Sequence, residues 1–194
     1  MSVDRHVILW VYPRTNKLDE VMGLSILENS FGVFLRDKLE AYYNLFDEAP
    51  MACDYMAVYN QRSAAYALKK EFEYYAFENN EVILFTENVN FDTLNLEVLS
   101  AQIDATHYEM VSRNEDHMSS SIYLVYTVKE PVSASIAHKI KRFKYYKSFK
   151  WGLEGWLNVG LIVINESTGE GIANRYGKKE MKRLLNLYSK FKEN

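Results

Sequence analysis

One cysteine, three prolines and eight glycines are few for 194 residues, and each shortage excludes something. A lone Cys53 rules out an internal disulfide and any multi-cysteine metal site. It fits a reducing compartment, and the expected location is the cytoplasm. Scarce glycine and proline argue against long linkers and disorder. Long apolar runs are missing too. Val7 to Tyr12 is the N-terminal apolar run, too short for a signal-peptide core, and no run approaches the ~18 residues a membrane span needs. Nucleotide-binding glycine loops are absent: the sequence has neither GxxxxGK[ST] nor GxGxxG, and no HExxH. No cofactor is therefore expected.

What is present is ordinary in amount and uneven in placement. Hydrophobic residues make up 48% and charged residues 25%, the balance of a soluble globular chain. Residues 1–128 hold 9 Lys and Arg against 20 Asp and Glu; residues 129–194 hold 14 against 6. The net charge of −3 thus conceals an acidic part at −11 and a basic part at +8. Such polarity suits an acidic partner, or equally the acidic part of the same chain or of a neighbouring copy. The length fits one globular domain over 1–194, with 114–120 as the place for a subdomain break.

The basic excess is densest in Lys139 to Trp151, where six of thirteen residues are basic and five are aromatic. Neither a helical nor a strand period separates its charges cleanly from its rings. A helix from about Ser133 to Tyr146, then an extended segment, is the reading that fits best. Its bland alternative is a surface helix whose lysine stems cover apolar surface while its aromatics enter the core.

The rest alternates strand and helix signals. His6–Tyr12, Asp54–Tyr59, Glu81–Thr86, Ser121–Val128 and Trp156–Asn165 read as strands, with Asn79-Asn80 as a turn. Helical patterns run from Leu18 to Ile26, from Phe31 to Phe46 up to Pro50, and from a cap at Asn60 or Ser63 through Ala76. The last would make Asp54–Tyr59 and Glu81–Thr86 a parallel βαβ pair. Residues 93–113 are read as helix capped at Asp92 or Thr93, although Leu94, Leu96 and Val98 alternate as a strand would, and 114–120 as a loop. Glu166 to Glu170 is a hairpin turn with Gly169 at the positive-φ position. Met181, Leu184, Leu185, Tyr188 and Phe191 line one face of a final helix, with Lys179, Lys182, Arg183 and Lys190 opposite. The expected fold is α/β or α+β. It has a mixed sheet of about five to six strands with helices packed on it, one βαβ unit, and a C-terminal hairpin followed by a basic amphipathic helix.

Several chemistries fit poorly. His107, Glu109, Asp116 and His117 are too far apart on one helix to share a metal. His6, on a neighbouring strand, is the nearest base for Cys53, and acidic neighbours Glu48 and Asp54 disfavour a thiolate. Glu87 and Asp92 stand at a strand end, where acids can do acid–base work. The basic-aromatic signal is stronger, because Lys and Arg neutralise phosphates and exposed rings stack bases. The candidate nucleic-acid-binding set is Lys139, Lys141, Arg142, Lys144, Tyr145, Lys147, Lys150, Trp151, Lys179, Lys182 and Arg183. The expected function is non-enzymatic binding of nucleic acid or another polyanion. The alternatives are a protein-interaction or assembly module, self-associating or meeting an acidic protein, and a small enzyme with a carboxylate site.

Overall fold

A computed structural model describes residues 30–63, 77–91, 95–110, 117–153 and 155–193. Its elements in chain order are α1 (Phe31–Glu40), β1 (Asn44–Phe46), β2 (Tyr55–Ser63), β3 (Phe77–Thr86), α2 (Leu96–Met110), β4 (His117–Val128), α3 (Ala134–Arg142), β5 (Tyr146–Ser148), β6 (Trp156–Asn165), β7 (Glu170–Ala173) and α4 (Lys178–Glu193).

The strands form one mixed sheet in the order β1-β2-β3-β4-β6, with the last position shared. β5 pairs with residues 156–158 of β6, and β7 pairs with residues 162–165. β3–β4 and β4–β6 are parallel and the other pairs antiparallel. Parallel neighbours need crossovers, and α2 and α3 supply them. Both crossovers run in the same direction across the sheet, so both helices lie on one face. There Leu99, Ile103 and Ile140 pack against Val82, Leu84, Ile122, Leu124, Leu157 and Leu161. α1 and α4 cover the other face through Phe31, Leu35, Leu184 and Tyr188, against Ile83, Phe85, Val125 and Ile162. This is the expected mixed sheet with packed helices, a C-terminal hairpin and a basic last helix, but its βαβ units are β3-α2-β4 and β4-α3-β6 and not the pair expected at Asp54–Tyr59 and Glu81–Thr86.

Four local expectations change. β2 and β3 are antiparallel, in register from Tyr55↔Phe85 to Ser63↔Phe77. Asn60 and Ser63 therefore continue a strand and cap no helix there, and Asn79-Asn80 lies within β3. The helix expected through Ala76, like the strand at His6–Tyr12 and the helix from Leu18, lies outside the described residues. α1 stops at Glu40, because a strand at 44–46 brings Tyr43 and Leu45 to the core where a helix would not. Residues 117–120 belong to β4, not a loop. α3 ends at Arg142 rather than near Tyr146, and Tyr146 opens β5, which continues through the segment expected to be extended.

Caps explain several helix starts. Ser30 and Ser133 accept from the N–H groups of Val33 and Ile136, each at 3.3 Å. Asn95 accepts from Glu97 N–H at 2.9 Å, while the expected caps Asp92 and Thr93 lie outside the described residues. α4 buries the apolar face read from its sequence. Its start passes so close over β6 that a Cβ on Gly160 would stand 2.9 Å from the Gly177 Cα and 2.6 Å from the Tyr123 ring. Gly169 takes its positive φ of 71° in the hairpin turn.

Between its β5 and β7 stretches, β6 has edge groups to satisfy, and one residue does most of it, its own N–H donating to Leu161 O at 3.1 Å. Asn174 is fully buried. Its Oδ1 accepts from Leu161 N–H at 3.0 Å and Gly177 N–H at 2.9 Å. Its Nδ2 donates to Val159 O at 2.8 Å and Phe143 O at 3.1 Å. An amide with two donors and two acceptor sites is fully used.

Asn174→Ala orphans four buried backbone groups and should cost about 3 kcal/mol or more in urea denaturation followed by circular dichroism. Asn174→Asp should cost more, because a carboxylate cannot donate to the two carbonyls.

Candidate functional site

The basic-aromatic stretch is divided by the fold into buried and exposed members. Phe143, Tyr145 and Phe149 are core residues. Tyr145, expected at the surface, is only 8% exposed, and its hydroxyl donates to Asp104 at 2.7 Å. It is thereby removed as a stacking ring. Lys147 reaches the same carboxylate at 3.2 Å and lies over the Tyr108 ring. The hydrogen bond from Tyr145, then Lys147, holds Asp104 below the usual carboxylate range.

Arg183 is also committed. Its Nε donates to both oxygens of the buried Glu180 at 2.9 Å, and its guanidinium lies 3.8 Å from Glu81. Tyr43 donates to Glu81 and sits under the same guanidinium. This cluster fastens α4 to β3 and to the segment entering β1.

Lys139, Lys141, Arg142, Lys144, Lys150, Trp151, Lys179 and Lys182 are exposed. Lys139, Lys141 and Arg142 form the last turn of α3, where cations suit the helix dipole. Lys179 lies in the first turn of α4, in the opposite layer. Yet Asn174 holds the Phe143 carbonyl and the Gly177 N–H at once, so the end of α3 and the start of α4 meet at the β6 edge. Arg175 and Lys178, which the sequence reading passed over, are exposed at the same junction. Lys182, a turn further along α4, leads away from it.

The sheet carries a second feature, visible only once the register is known. Tyr59, Glu81, Ser121, Asn158 and Tyr146 are consecutive partners across five strands. They face the α1 and α4 side, beyond the apolar rows those helices cover. No single strand announces this row, because each contributes one polar residue.

The link from β5 to β6 is a tight hairpin. Phe149 N–H donates to Gly155 O at 3.0 Å, and the Phe149 ring stacks on His107 at 6.0 Å. His107, one of the metal candidates, is fully buried. Its Nδ1 faces the Ile103 and Asp104 carbonyls at 3.0 Å each, so Nδ1 carries the proton. Nε2 has no partner among the described residues. Burial, with Lys147 adding to it, holds His107 below the ordinary histidine range. Among the described residues no group of three His, Cys, Asp or Glu is placed to hold a metal.

The other candidates have local roles. Glu87 accepts from Gly32 N–H at 3.2 Å, and its partner in the carboxylate reading, Asp92, lies outside the described residues. Burial, then Asp54, pushes the Cys53 thiol up to about 12. A cleft of about 270 Å³ lies past the ends of β3 and β4, lined by Val89, Phe91, Val128, Lys129 and Pro131 among others. No described helix is long and apolar enough to cross a membrane.

A family described as a domain of unknown function (DUF8052) matches residues 29–187, and the chain belongs to it. No curated protein and no solved structure matches the chain.

Two measurements probe these sites. The neutral His107 ring has a lowered pKa, so its stabilising contribution is intact above about pH 6.5 and is lost as pH falls through the folded value. The urea midpoint should fall between about pH 7 and about pH 5, and His107→Phe should remove that part of the fall. Cys53, protonated at neutral pH, should react slowly with iodoacetamide in the folded protein and faster in urea.

Proposed function

We propose that this DUF8052 protein is a non-enzymatic binding protein that engages nucleic acid or another polyanion at the β5/β7 edge of its sheet. The observation that carries the reading is the Asn174 junction. It sets the basic end of α3 beside the basic start of α4, so Arg142 and Lys144 neighbour Arg175, Lys178 and Lys179. Among the described residues none of these five makes an ion pair, whereas Lys147 and Arg183 do. Cations left unpaired on one edge are what a row of phosphates recruits. Lys139, Lys141 and Lys150 extend the same edge, and the core aromatics serve to hold it in place.

A second reading, head-to-tail assembly, is favoured by the opposite edge. There Glu40 and Glu48 are exposed around β1, as is Asp47, which Arg36 of α1 already holds at 2.6 Å, with Tyr42 and Phe46 also exposed. The two edges stand roughly 24 Å apart at the usual strand spacing. One copy's acidic edge can therefore meet another's basic edge without self-neutralisation. Such a contact is heterologous and would produce rings or filaments.

Each phosphate contact adds roughly 0.7–0.9 to the log–log salt slope of binding. Replacing Lys141, Arg142 and Lys144 together by Ala should flatten the slope for a labelled oligonucleotide by about two to three units. Lys178→Ala with Lys179→Ala should flatten it by about one to two. Failure of the unmodified protein to bind DNA, RNA or heparin at low salt would sink this reading. A mass that rises with concentration under the same conditions would move the function to assembly.

A further inference from the structure

The hairpin between β5 and β6 contains a local conflict. Lys150 and Trp151 both have left-handed backbones, with φ of 41° and 59°. That region suits glycine, and a Cβ there is penalised. The hairpin does use glycine in this way at Gly155, with φ 81°. A connection needing only to turn would place glycine at 150 and 151 as well. Instead two large side chains occupy strained positions while Phe149 and Gly155 pin the ends. The turn throws the Trp151 side chain wholly into solvent, at 101% of its reference exposure, with Leu153 at 82%. An unpacked tryptophan kept in a costly conformation contributes nothing to the fold, and strain of this kind marks functional loops.

We propose that Trp151 is a stacking anchor for single-stranded nucleic acid. The proposal rests on the polyanion reading and narrows it to one class of ligand. Charge complementarity comes from Arg142 and Lys144, exposed just before β5 at the end of the strand away from the tip. The neighbouring aromatic is Tyr146, 58% exposed on β5. From Tyr146 the polar row continues onto Asn158 and Ser121. A strand whose first base stacks on Trp151 is thus offered a second ring, then an amide and a hydroxyl that suit base edges. A duplex keeps its bases stacked internally and cannot use these rings. A lipid surface would use Trp151 and Leu153, but not the polar row behind Tyr146.

The test measures fluorescence anisotropy of labelled oligothymidylate and of a labelled duplex with the full chain, as a function of salt. The single strand should bind more tightly than the duplex. Trp151→Gly should weaken single-strand binding by about tenfold or more, leave the salt slope unchanged, and melt no lower than the unmodified protein, since it relieves the left-handed strain. Trp151→Phe should retain most of the affinity, and Tyr146→Ala should lose part of it. Equal single-strand binding by Trp151→Gly and the unmodified protein overturns the anchor. In that case an effect of the Lys141, Arg142 and Lys144 triple variant shows that the polyanion reading survives. If the unmodified protein binds neither probe and no heparin, the polyanion reading falls with the anchor. Loss of sedimentation with anionic phosphatidylglycerol vesicles in Trp151→Gly, without any oligonucleotide effect, also overturns the anchor and assigns the tip to a membrane surface.

Discussion

One buried amide holds the far side of this protein together. β6 has a partner along its whole length on the β4 side, but on the other side β5 and β7 leave a gap between them. Asn174 fills that gap as a side-chain substitute for backbone pairing, with Tyr145 O accepting from Val159 N–H at 3.2 Å beside it. The same atoms fix where α3 ends and α4 begins. Had the gap been closed by a continuous edge strand, the two helix ends would have had no shared contact. The convergence of cations at that corner follows from how a hydrogen-bonding vacancy was filled.

The fold separates cations that composition treats alike. Lys147 and Arg183 are structural: one is bound with Tyr145 to Asp104, the other clamps Glu180 and lies near Glu81. Part of this pairing reaches partners distant in sequence, although Arg183 and Glu180 are only three positions apart. Lys147 and Asp104 are 43 positions apart, and Arg183 and Tyr43 are 140 apart. Their neighbours Lys144 and Lys182 carry the same charge and, among the described residues, have no carboxylate partner. Charge density is readable from a sequence, whereas availability depends on which carboxylate the fold brings near.

Legibility followed the range of the determining interactions. Residues 121–128, Trp156–Asn165, the turn at Gly169 and the amphipathic α4 were readable because a few adjacent side chains determine them. The direction of β2 against β3 was not, because a long connection serves a parallel crossover or an antiparallel hairpin equally well. The β1 strand was hidden by a helical spacing of apolar residues around it. In Lys139–Trp151 the strand alternation of Phe143, Tyr145 and Phe149 was visible, and it does mark the buried side. Trp151 continues that alternation in sequence and breaks it in space, since Lys150 and Trp151 itself are both left-handed without being glycine. The polar row from Tyr59 to Tyr146 was illegible for a different reason: it runs across strands, and sequence periodicity runs along them.

The central place of β4 bears on how the chain is made. One of its edges pairs with β3, which precedes it, while the other waits for β6. Until the residues from Trp156 onward have left the ribosome, that edge presents unsatisfied backbone groups between apolar side chains such as Ile122, Leu124 and Val125. An edge of this kind recruits other strands. A nascent or prematurely terminated product ending before β6 is therefore a template for aggregation and a substrate for quality control. The C-terminal segment is the closing piece whose arrival makes the sheet safe.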